Sequence, residues 1–171
     1  MKRKELLEIA AHFSAYDVRF SEKGEHFEIV NPYGKDALFV ADEGIEPDTA
    51  YVVGFSHYHM HPDLAEHVIA WVRDILEDRQ LALTFFKEDR WAGSIMIEKQ
   101  QVHELTYEAL AKRMGWDGIT PLPFSGALVK LIDKADSFII RGWGKGTDLD
   151  GHFIRDEQGN VRIQIEKADT K

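Results

Sequence analysis

Cysteine is missing from all 171 residues, which excludes a disulfide framework, a thiolate metal site, a redox pair and a cysteine nucleophile. Any metal site must then be built from histidine and carboxylates. A long apolar run is missing too, so no segment reads as a membrane span. The start, Met1-Lys2-Arg3-Lys4, has the charge of an export signal, but Glu5 and Glu8 interrupt the stretch that should be apolar. A cytoplasmic chain without membrane association is expected. Clustered Lys and Arg are also wanting: 21 basic residues face 30 acidic ones, a formal charge of −9. Such a surface does not suit nucleic acid, and it does suit a basic protein partner. No Gly-x-Ser-x-Gly elbow, internal repeat or low-complexity linker is present.

What remains is a chain of ordinary domain size, 44% hydrophobic, able to bury a sizeable core. Leu6, Leu7, Ile9, Ala10 and Phe13 recur at helical spacing and predict a first amphipathic helix. Short β-type runs at 17–20, 26–30 and 37–41 follow, separated by Glu22-Lys23-Gly24 and Asn31-Pro32-Tyr33-Gly34, which predicts a meander. Residues 50–61, rich in Val, Tyr and Phe, read as one long strand. Over 63–79, Leu64, Val68, Val72, Ile75 and Leu76 form an apolar stripe, with Asp63 and Glu66 placed as a capping box after Pro62. A hairpin is expected from 81–87 and 93–99 across Glu88-Asp89-Arg90. Then come a helix at 104–114 closed by Gly115, a loop at 116–125 and a short helix at 126–134. Strands at 137–143, 152–156 and 161–166 end the chain. This pattern predicts a single α+β domain over 1–171, with a mainly antiparallel curved sheet and helices packed on one face. Its edge strands would permit a homodimer.

Chemistry concentrates in residues 57–67. On a straight strand, alternate side chains share a face, so His57, His59 and His61 line up with Val53 and Phe55. Two imidazoles at i and i+2 can hold one divalent transition metal such as zinc. Along a strand, His57 and His61 lie roughly 13 Å apart, too far to share an ion. The site is therefore His57 with His59, or His59 with His61, completed from Asp63, Glu66 and His67 or from His103 and His152. The plainer alternative is a half-buried sheet face whose histidines make hydrogen bonds and bind nothing.

Other motifs are incomplete. Gly142-Trp143-Gly144-Lys145-Gly146-Thr147 has the glycines and lysine of a phosphate loop without its spacing, and reads as a flexible turn. Asp148-Leu149-Asp150-Gly151 is half of a calcium loop, with Gly146 where the first carboxylate belongs. Trp91 and Trp143 stand beside turn-like or glycine-rich sequence, where burial is not assured.

An aromatic residue, a short polar step and His57-Tyr58-His59 at a strand end, then a helix and a hairpin, resembles small bacterial α+β proteins, some of them immunity proteins of toxin–immunity pairs. The likeness covers residues 52–99. It implies a compact domain that binds a partner, here a basic toxin-like protein. The competing expectation is a metal-dependent hydrolase, in which His57 and His59 bind the ion and Asp63 or Glu66 serves as ligand or base. A third expectation is a structural domain whose histidines do no chemistry.

Overall fold

The computed structural model describes residues 2–42, 51–110 and 135–168. The chain forms two compact units, Met1–Arg79 with Trp143–Lys145, and Gln80–Gly142 with Gly146–Lys171.

In the first unit, α1 (Lys2–Ala11) precedes β1 (Val18–Phe20), β2 (His26–Ile29), β3 (Leu38–Asp42), β4 (Tyr51–Phe55) and β5 (Tyr58–Met60), and α2 (Ala65–Leu76) follows. The strands lie in chain order, each antiparallel to the next, so the expected meander is present. Its turns use the chemistry foreseen for them: Asn31 Oδ1 accepts the Tyr33 N–H at 2.9 Å, and Gly34 takes φ 71°. Register aligns Phe27, Val40 and Val53 in one row across the strands and Ile29, Leu38 and Phe55 in another. All six are 2% exposed or less. Burying each such side chain contributes about 1.5–3 kcal/mol, so these rows hold the sheet more firmly than any turn. Onto it α1 brings Leu6, Ile9 and Ala10, the turn after α1 adds buried Phe13, and α2 brings Val68, Val72, Ile75 and Leu76. α1 lies against β2 and β3, and α2 lies against β4 and α1.

Two details of the helices differ from expectation. Helix α2 begins at Ala65 with Leu64 as cap and no side-chain cap bond, so Asp63 and Glu66 do not form the capping box. Leu64 is extended, at φ −123°, and falls off the apolar stripe. It is 49% exposed, and Leu7 of α1 is 48% exposed.

The second unit holds β6 (Gln80–Lys87), β7 (Arg90–Glu98), β8 (Ser137–Arg141), β9 (Leu149–Arg155) and β10 (Val161–Lys167), in the order β10-β9-β8-β6-β7 and antiparallel throughout. The β6–β7 hairpin turns on Glu88 and Asp89, at φ 50° and 62°, the paired left-handed residues that match the twist of a two-residue hairpin. Its core gathers Leu81, Leu83, Ile97, Ile140 and three rings, Phe85, Phe138 and Phe153, whose centroids lie 5.2–6.4 Å apart. Gly151 pairs with Phe138 across β8 and β9. A β-carbon there would fall inside the Phe138 ring, so glycine at 151 is a packing requirement.

The antiparallel α+β class is as expected, but the strands divide between two five-stranded sheets instead of one curved sheet. Alternation of side chains reports which residues face a core and not which strands pair, so the division was invisible to it. Lys99–Glu104 is a 3-10 turn. Helix follows from residue 107, with Thr106 Oγ1 accepting the Ala109 N–H at 3.1 Å. The rest of the helix expected at 104–114, the loop at 116–125 and the helix at 126–134 lie outside the described residues. Among the described residues no helix is long and apolar enough to cross a membrane.

Candidate functional site

The histidine segment is not one strand. Phe55 pairs with Tyr58, Gly54 with His59 and Val53 with Met60, so the chain reverses over a two-residue loop, Ser56-His57. No Gly or Asn marks that reversal in the sequence. Ser56 supplies it by taking φ 54°, and its hydroxyl is buried with no hydrogen-bond partner among the described residues. His57 therefore sits at the loop tip and does not share a strand face with His59. The proposed union of His57 with His59 loses its geometric basis.

His59 lies opposite Gly54, on the face turned away from buried Val53 and Phe55. His61 follows β5 and keeps that face by alternation. The next carbonyl, of Pro62, accepts the Tyr51 N–H at 2.9 Å and ties the end of the segment to β4. The His59 and His61 rings meet edge to face, centroids 5.2 Å apart and planes at 86°. His57, His59, His61, Asp63, Glu66 and His67 are all exposed. Among the described residues no three His, Asp or Glu side chains are grouped so as to hold an ion. The structure thus brings together two of the sequence-derived candidates, His59 and His61.

The glycine-rich run is an anchor and not a flexible turn. Trp143 is 4% exposed, with its ring 6.2 Å from that of Phe55. Its N–H donates to Asp78 Oδ1 at 2.6 Å, and the Gly144 N–H donates to both oxygens of the same carboxylate at 3.0 Å. Asn31 Nδ2 donates to the Trp143 carbonyl, and Lys35 Nζ to that of Gly144, each at 3.0 Å. The loose phosphate-loop pattern does cradle an anion, and that anion is the chain's own Asp78. The half calcium loop is likewise used internally. Asp148 Oδ1 accepts the Gly142 N–H at 3.2 Å, and Asp150 lies 2.9 Å from Arg141.

A second feature, only hinted at by the sequence, is the tip of the β6–β7 hairpin. Trp91 is 60% exposed, yet its ring is pinned: Nε1 donates to Ser94 Oγ at 2.9 Å, and that hydroxyl pairs at 3.0 Å with Thr84 Oγ1, on a fully buried residue. A bulge sets the ring's direction, since Phe85 pairs with Gly93 and Phe86 with Trp91, leaving Ala92 unmatched. Before it in the chain, the hairpin tip exposes Lys87, Glu88, Asp89 and Arg90. The tip is braced by Asp136, which accepts from Lys87 Nζ at 2.8 Å and from the Glu88 N–H at 3.1 Å. These bonds, the Lys87 one foremost, hold the Asp136 carboxyl below the usual carboxylate range. The spacing Trp-x-x-Ser across a strand bulge was the available signal, and it means little until the register is known.

No protein-family model, curated protein or solved structure matches the chain.

Proposed function

We propose that this chain is a cytoplasmic, non-enzymatic recognition protein that binds a basic protein partner, in the manner of an immunity protein. The observation that carries this reading is Trp91: a large ring kept 60% exposed and fixed in one orientation by a hydroxyl relay. Exposed aromatic side chains held rigid before binding are the usual anchors of protein interfaces, because little side-chain entropy is lost on docking. Glu88 and Asp89 share the hairpin tip with Lys87 and Arg90, so the attraction toward a basic surface comes from the chain's net charge of −9, which would speed encounter with it.

The test is co-purification from the source cell with wild type, Trp91→Ala and Glu88→Lys/Asp89→Lys proteins, each confirmed to be folded by circular dichroism. A basic protein recovered in equal amount with wild type, released by salt and lost with both variants is expected. Recovery that is the same with all three proteins, or no stoichiometric partner, would refute the reading.

A further inference from the structure

We propose that His59 and His61 form a two-imidazole clamp for one divalent transition-metal ion, on the face of the first sheet turned away from its buried rows. The backbone presents both side chains rigidly. His59 is paired to Gly54, and the residue after His61 is hydrogen-bonded to Tyr51, so neither histidine sits on an untethered loop. Residues two apart on a strand are separated by about 6.6 Å, whereas these ring centroids are 5.2 Å apart. The rings therefore lean toward each other. Two imidazoles bound through nitrogen at about 2.0–2.1 Å to one tetrahedral ion place their centroids about 5 Å apart, so the separation already fits, and closure on an ion requires one ring to turn about its side-chain bonds out of the edge-to-face contact. Gly54, across the strand from His59, brings no side chain of its own between them and solvent. Exposure of both histidines gives the ion free entry.

The donor set fixes the class of ion. Neutral imidazoles suit zinc, nickel and copper and do not suit calcium or magnesium, which take oxygen ligands. On a tetrahedral zinc ion two coordination positions are left to water. His57, Asp63 and His67 are outside the clamp, which separates this assignment from any scheme that counts histidines along the sequence. It is also independent of the Trp91 surface, which belongs to the other unit.

Titration of untagged full-length protein with Zn2+ alone and with Ni2+ alone, followed by calorimetry and by histidine ring NMR signals, tests the assignment. One ion per chain is expected, with the His59 and His61 ring signals moving first. Affinity should weaken about tenfold or more in His59→Ala and in His61→Ala and by less than about twofold in His57→Ala and His67→Ala. All four sites are exposed, so the variants should fold. Absence of binding at millimolar metal, or equal losses in the His57→Ala control, would overturn the clamp.

Discussion

Ser56 and Asp78 both stand at φ 54°, in the same unit, and the chain uses that unusual backbone in opposite ways. Asp78 follows the last turn of α2. The Arg79 N–H donates to the Asp74 carbonyl at 2.8 Å and the Asp78 N–H to that of Ile75 at 3.0 Å, which is the left-handed helix ending where glycine is most common. Aspartate tolerates that conformation, and here its carboxylate gains three contacts with the Trp143 and Gly144 N–H groups. Ser56 forms the left-handed corner of the β4–β5 hairpin and leaves its hydroxyl buried, with no partner among the described residues. One strained residue is compensated by charge-assisted hydrogen bonds. The other is imposed by strand pairing on both sides.

The same substitution should therefore have opposite signs at the two positions. Asp78→Gly relieves the backbone but removes the bonds that hold Trp143, each worth about 1.5–3 kcal/mol when charge-assisted, so a net loss of about 2–3 kcal/mol is expected in urea unfolding. The near-ultraviolet signal of Trp143 should weaken with it. Ser56→Gly relieves about 1 kcal/mol of left-handed strain and removes an orphan hydroxyl worth a similar amount, offset by about 0.5–1 kcal/mol of chain entropy. A net gain of about 1 kcal/mol is expected. A loss in Ser56→Gly would mean that the hydroxyl has a partner or a task.

The smallest effect belongs to the exposed carboxylate of Asp136. Because its pKa is lowered in the folded chain, its contribution to stability is present above the unfolded value and is lost as pH falls through the folded one. Wild type and Asp136→Asn should differ slightly at neutral pH and converge in acid. A difference that widens in acid would show that the Lys87 and Glu88 contacts do not act on the charged form.

Much of this was legible beforehand. The meander, the buried stripe of Val68, Val72, Ile75 and Leu76, and the Glu88-Asp89 hairpin were readable because each is a local pattern of apolar spacing or turn chemistry. The β4–β5 reversal was not, because Ser56-His57 lacks the residues that favour a left-handed backbone. Without it, three histidines seemed to share one face.

By itself the sequence determined the antiparallel α+β class, the net charge of −9 and the absence of any thiolate ligand. Tertiary structure alone decided that His59 and His61 stand together while His57 is set apart, that the glycine-rich run holds Asp78, and that Trp91 is fixed in the open. The reason is physical. Composition and periodicity act over a few residues, whereas the Asp78–Trp143 contact spans 65 positions, and the Trp91 relay depends on register and one unmatched residue in a bulge, which no local pattern encodes.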